Sequence, residues 1–290
     1  MSNLLPKKLC MYFGYPSLVN GAAGNINTAV NTFKQYDQVI FPNGLEDISH
    51  PDYLNTIAII NHPDMANTTV FGEIDSTKPF GQNKSKIDLW KINGAKGVFC
   101  NKFGFDYNVN RAQQNTLLDY IHSSALIAIV YTTSVDDAFC KCIHLTCNPL
   151  GQDSNISAND YYLALHYQVV NGAFQLPMDW KIRSDKMVNW RGVYGTKMAC
   201  ATTTNNTPFD QNKMDYAYFS TVLYNFDSFG YSEFNFSADN LLPFRTRKQF
   251  YGTRFDSPIT IINDGDIYER VTNVGIHLNT STHTVNILLD

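Results

Sequence analysis

Several groups in this chain have the right types for acid–base chemistry. Asp75 closes the apolar run that starts at Thr69, Glu233 lies in the run from Phe229, and His166 lies near the end of the run from Tyr161. Asp106 lies in the polar, aromatic stretch Gly104-Phe-Asp-Tyr107. Short apolar runs of this kind read as buried strands, so the first three groups stand where a strand leaves the core. One more strand end, after Val98-Phe-Cys100, carries Asn101 and Lys102 instead of acids. Two facing carboxyl groups can split a glycosidic bond, one as acid and one as nucleophile or base. An amide neither delivers a proton nor holds negative charge, and an ammonium is a fixed cation where positive charge would develop. A hydrolytic site would therefore pair Asp75 with Glu233, with His166 as a further acid or base. The competing reading has Lys102 ion-paired with one of the acids, because buried charges are normally paired. Glu73 alternates with Ile74 and reads as structural.

Binding chemistry is also visible. Tyr12, Tyr15, Tyr107, Tyr131, Tyr167 and Tyr231 place rings near the same strand ends. Sugars stack on such faces, and amides bond their hydroxyls. The candidate binding residues are Tyr15, Asn43, Asn101, Lys102, Asp106, Tyr107, Tyr131 and Tyr231. No Gly-rich phosphate loop and no nucleophile elbow is present, so no cofactor is expected. Cys140, Cys142 and Cys147 surround His144, but no second ligand pair follows at finger spacing, and no metal is expected. Cys10, Cys100 and Cys200 lie in apolar runs and read as buried thiols.

The elements that must position these groups alternate along the chain. Strand patterns fall at 8–15, 39–41, 69–75, 98–100, 125–131, 161–168, 197–202 and 229–236. Helical spacing falls between them at 25–36, 52–60, 84–93, 109–123, 180–190 and 215–226, with an irregular insertion at 134–159. Eight alternations in about 240 residues match the count and size of a (β/α)8 TIM barrel, with a parallel sheet and right-handed crossovers. The chemistry of such a barrel sits at the C-terminal ends of its strands. After Arg247 short strands follow without helices, and Asp264-Gly265 signals a type I′ hairpin. The expected organisation is a barrel over 1–250 and a small antiparallel β appendage over 251–290.

Of the 290 residues, 44% are hydrophobic, enough for a substantial core, and 17% are charged, below the usual ~25%. A net charge of −4 with no basic run argues against nucleic acid. No apolar run is long enough to span a membrane. The N-terminus lacks the pattern of a signal peptide. Work outside a cell would then require another carrier, such as a virus particle made in the host cytoplasm.

The stretch Gly104-Phe-Asp-Tyr-Asn-Val-Asn-Arg-Ala-Gln-Gln-Asn115 resembles a motif of spherulin-4-like, glycoside-hydrolase-like TIM barrels, a group that includes tail or surface proteins of tailed bacteriophages. The resemblance continues at 161–172, at 215–220 and 226–233, at Leu242-Pro-Phe-Arg245, and at 270–275 and 282–284, so it spans nearly the whole chain. It implies a structural or surface protein of the virion, tail- or capsid-associated, in an oligomeric assembly with other virion proteins and contacting a surface glycan. It also implies an Asp-Glu pair at the end of the fourth strand and a Glu near the end of the sixth. Here those places hold Asn101-Lys102 and Leu165-His166. The expectation is thus a degenerate barrel, a pseudoenzyme. The alternative is an active hydrolase of a surface polysaccharide that uses Asp75 and Glu233.

Overall fold

Eight strands close into a parallel barrel in the computed structural model, which describes residues 5–204, 209–233, 236, 240–248, 257–271 and 275–288. They are β1 (Lys7–Met11), β2 (Gln38–Phe41), β3 (Thr69–Asp75), β4 (Gly97–Asn101), β5 (Ile127–Tyr131), β6 (Tyr161–Leu165), β9 (Lys197–Thr203) and β10 (Ser228–Ser232). The circuit closes where β1 pairs with both β2 and β10. A two-residue ladder, β7 (Val169–Val170) with β8 (Ala173–Phe174), lies between β6 and β9. Helices separate the barrel strands: α1 (Ile26–Phe33), α2 (Tyr53–Ile60), α3 (Phe80–Ile92), α4 (Arg111–Ser123), α5 (Val135–Phe139), α6 (Pro177–Tyr194) and α7 (Gln211–Leu223). The expected TIM barrel is therefore present.

Local chemistry sets the helix ends. The Asn25 side chain accepts the Thr28 N–H at 3.0 Å ahead of α1. Asn110 and Gln113 form a reciprocal capping box ahead of α4. Pro177 starts α6, and Gly195 at φ 71° stops it.

Alternation along the strands divides the core in two. One set, including Leu9, Met11, Ile40, Phe71, Phe99, Ile129, Leu163 and Ala201, fills the barrel interior. The other set, including Cys10, Val39, Val98, Val130 and Cys200, faces the helices. Gly72 belongs to the outward set, where Trp90 of α3 lies flat on β3. A Cβ at this glycine would come within 1.9 Å of the Trp90 ring.

Strands β11 (Thr260–Ile262), β12 (Ile267–Val271), β13 (Gly275–Asn279) and β14 (Thr284–Leu288) form an antiparallel sheet. It packs on α6 and α7, with the Tyr268 ring 4.4 Å from Trp180 and the Arg270 guanidinium donating to the Leu223 carbonyl at 2.8 Å. Tyr268, Ile276 and Leu278 join the same apolar cluster as the barrel's outer face. The β11–β12 hairpin turns through residues 263–266, two residues longer than a type I′ turn, with Asp264 and Gly265 both at positive φ. The boundary expected at 250/251 lies outside the described residues.

Candidate functional site

The register of β3 against β4 sets one half of the barrel mouth. Asp75 pairs with Asn101 and Glu73 with Phe99. Parallel neighbours share a face and Phe99 is interior, so Glu73, Asp75 and Asn101 all belong to the inward set. The Asn101 amide donates to one Glu73 oxygen at 2.6 Å, and the Asn43 N–H donates to the other at 3.1 Å. Lys102 Nζ lies 3.0 Å from Asp75 Oδ2. The other Asp75 oxygen accepts the Thr77 N–H at 3.0 Å and its hydroxyl at 2.6 Å. Lys102 sits at φ 55°, a strained backbone for a lysine, with its N–H donating to the side-chain amide oxygen of Asn101 at 2.8 Å.

These contacts split the two acids electrostatically. Burial raises Glu73, with the neighbouring Asp75 charge adding to it, while the Asn101 and Asn43 hydrogen bonds oppose the rise. Partial burial also pushes Asp75 upward, but the hydrogen bonds from Thr77 and Lys102 outweigh it and hold the group below the ordinary carboxylate range. Asp75 in turn raises the Lys102 ammonium. The mouth therefore holds one committed carboxylate–ammonium pair and one half-buried acid bonded to an amide.

The other half of the mouth is a cavity of about 370 Å³ at the ends of β5 and β6. Tyr131 and Leu165, the last interior residues of those strands, meet His166 there, and Gln175, Asp179 and Arg183 approach from α6 and the loop before it. His166 is fixed at φ 52°. Burial, then the Arg183 charge, depresses its imidazole below the usual value, which favours the neutral ring. Burial pushes the Tyr131 phenol up to about 12. Tyr107 tilts over Tyr131 at 6.4 Å between centroids, and Asp106 accepts the Thr133 hydroxyl at 2.5 Å.

Other expected site residues lie elsewhere. The strand expected over 229–236 ends at Ser232. Phe236 folds back into the interior cluster, and its carbonyl accepts the Phe13 N–H at 3.0 Å. This ring caps the β1 side of the mouth. Gly230 and Ser232 pair with Ala201 and Thr203 and so face inward. Tyr231 therefore faces outward, packing on Phe209 at 5.9 Å. Glu233 follows the same outward phase and is bound by Arg245, whose Nε is 2.6 Å away. Among the described residues no contact joins Glu233 to Asp75. Tyr12 and Tyr167 likewise belong to the cluster against the helices. A one-residue change of phase moves a side chain from one face to the other, which is why nearness to a strand end did not decide these positions. Tyr15 is at the rim beside β1, with its ring 5.0 Å from His50.

Glu73 reads as structural from sequence, and Arg183 and Phe236 are not singled out there. A signal existed for Glu73, because it is two residues from Asp75 and must share its face.

The residues Gly104 to Asn115 have a scaffold role. Arg111 is fully buried and donates to Gln114 at 2.6 Å, the Ala138 carbonyl at 2.9 Å and the Cys140 carbonyl at 2.8 Å. Gln114 bonds the Phe103 carbonyl at 2.5 Å. Together they pin the 134–159 insertion beside the mouth. Cys140 and Cys142 are joined by a disulfide, with their Cα atoms 5.2 Å apart, and are not in a strand. Cys147 is a buried thiol whose N–H donates to His144 Nδ1 at 3.1 Å. Among the described residues no group of three or more His, Cys, Asp or Glu side chains is arranged to hold a metal. Cys10, Cys100 and Cys200 are buried free thiols.

No protein-family description and no curated protein sequence matches the chain. Solved structures do. A triosephosphate isomerase from Bartonella henselae is 10% identical, with a TM-score of 0.47, over 78% of this chain and 92% of that one. A glycoside hydrolase family 5 enzyme from Prevotella bryantii B14 is 8% identical, with a TM-score of 0.46, over 70% of this chain and 77% of that one. An octameric ribulose-1,5-bisphosphate carboxylase/oxygenase from Pyrococcus horikoshii OT3 is 11% identical, with a TM-score of 0.47, over 80% of this chain. The present chain spans 52% of the length of that carboxylase.

Proposed function

We propose that this barrel binds a surface glycan without cleaving it, as a tail- or capsid-associated component of a bacteriophage particle. The observation that carries the non-hydrolytic part is the Lys102–Asp75 ion pair, at 3.0 Å, in the barrel mouth. Glycosidic cleavage calls for two carboxyl groups in complementary protonation states. Here Asp75 is neutralised by a cation on the adjoining strand end. Saccharide binding is supported by the cavity at β5 and β6, where the Tyr131 ring offers a stacking face and His166, Gln175 and Asp179 offer hydrogen-bonding groups. Its volume falls within the range of small-molecule sites. The placement in a virion is supported by the sequence resemblance, and other virion proteins are the partners it implies.

A second reading has one observation in its favour. Burial raises the Glu73 carboxyl, as a general acid requires. Glu73 and Asp75, rather than Asp75 and Glu233, would then be the hydrolytic carboxylates. Incubating the protein with polysaccharides from candidate host surfaces, and measuring binding and new reducing ends together, separates the two. Saturable binding with no new reducing ends supports the proposal. Reducing ends that disappear on Glu73→Gln overturn it. For the virion placement, the expected result is the chain's presence in purified particles by mass spectrometry; its absence there removes that part.

A further inference from the structure

The end of the barrel opposite the mouth carries a second cavity, of about 460 Å³. Lys7 and Lys8 open β1 there, Arg247 and Lys248 reach it from the segment after the barrel, and Asp37 stands just before β2. Among the described lining residues Lys8, Arg247 and Lys248 outnumber Asp37, in a chain whose net charge is −4, although Asp215 also acts on Lys248, and Lys7, in the inward phase of Leu9 and Met11, bonds the Tyr161 side chain instead. Part of the capacity of Asp37 is already used, since its carboxylate accepts the Lys8 N–H at 2.6 Å. Among the described residues none of the three lysines, nor Arg247, is ion-paired with an acid.

Arg247 shows that this cluster is built into the fold. Its guanidinium donates to the carbonyls of Pro6 at 2.5 Å, Lys7 at 3.0 Å and Phe229 at 2.5 Å, and lies over the Tyr218 ring at 5.3 Å. Neutral carbonyls fix the cation in place without cancelling its charge. A half-buried charge normally has a counter-charge. Lys8 Nζ lies over Phe244, 5.6 Å from the ring centre. Tyr218 and Phe244 thus add aromatic walls to a cationic space too large for a bare inorganic ion.

We propose that this floor cavity is a binding site for a small organic anion carrying phosphate or carboxylate groups. Lys8 and Lys248 supply mobile charge, Arg247 a fixed one, and the two rings contact the body of the ligand. The site is separate from the mouth and does not depend on what the mouth binds.

Inorganic pyrophosphate and citrate serve as phosphate and carboxylate probes, titrated into the intact protein by calorimetry at low and high salt. The expected result is saturable one-to-one binding of at least one probe, weakening with salt. Lys8→Gln with Lys248→Gln, at exposed side chains, should weaken it at least about tenfold, equivalent to about 1.4 kcal/mol. Saturation by pyrophosphate alone assigns a phosphate ligand, and saturation by citrate alone assigns a carboxylate. No saturation by either probe up to about 10 mM overturns the proposal. Binding that the paired substitution leaves unchanged overturns it equally. Arg247→Met is expected to unfold the floor, so the lysine pair is the deciding variant.

Discussion

Replacing Lys102 with Met tests the ion pair at the mouth. At the observed 3.0 Å separation, Coulomb's law gives about 1.4 kcal/mol in bulk water and about 5.5 kcal/mol at an effective dielectric of about 20. The Lys102 side chain is 45% exposed and that of Asp75 18%. Solvent screening and the cost of fixing a long side chain therefore bring the net coupling to about 0.5–1 kcal/mol. Thr77 continues to hold Asp75 in the variant. The coupling is measured with Asp75→Asn in a double-mutant cycle, by urea unfolding. The Asp75 carboxyl is depressed in the folded protein. Its contribution is therefore present above the ordinary Asp value of about 3.9 and is lost as the pH falls through the depressed one. A coupling of that size at pH 7, fading in strong acid, is the expected result. A coupling above about 3 kcal/mol would mark a pair far more desolvated than this one. One that persists in strong acid would not be ionic. Either result refutes the reasoning.

Three further outcomes follow from the packing. Gly72→Ala forces a methyl to within 1.9 Å of the fully buried Trp90 ring and should cost about 3 kcal/mol or more in urea unfolding; a loss under about 1 kcal/mol would contradict that packing. Phe236→Ala removes the ring that caps the β1 side of the mouth. It should cost about 3 kcal/mol, and hydration should lower the Glu73 titration point read by carboxyl NMR. Arg111→Met leaves the Ala138 and Cys140 carbonyls without their donor and should speed proteolysis within 140–159 while the barrel's far-ultraviolet spectrum stays unchanged.

The barrel was legible because strands buried on both faces read as continuous apolar runs. All eight fall where the runs lie, although several ends differ. Helix α3 starts at Phe80 rather than 84, since Pro79 at its N-cap sets φ without needing a polar cap. The Lys102–Asp75 pair was legible as one of the expected charge pairings. Which residues line the mouth was less legible, because it depends on strand phase. Tyr231 and Glu233 differ from Ser232 by one position, and only the pairing of β10 with β9 fixes which of them faces inward. Glu73 was passed over although it shares the phase of Asp75. Arg183 could not be found from the strands at all, because it reaches the mouth from the middle of α6.

The most direct test of the account is a paired measurement on the native protein, with host-surface polysaccharide in excess: saturable binding by calorimetry, and reducing ends by colorimetric assay in the same mixture. The account predicts binding with no reducing ends above those of a heat-denatured control. Reducing ends that rise with time and are abolished by Glu73→Gln or Asp75→Asn would contradict it.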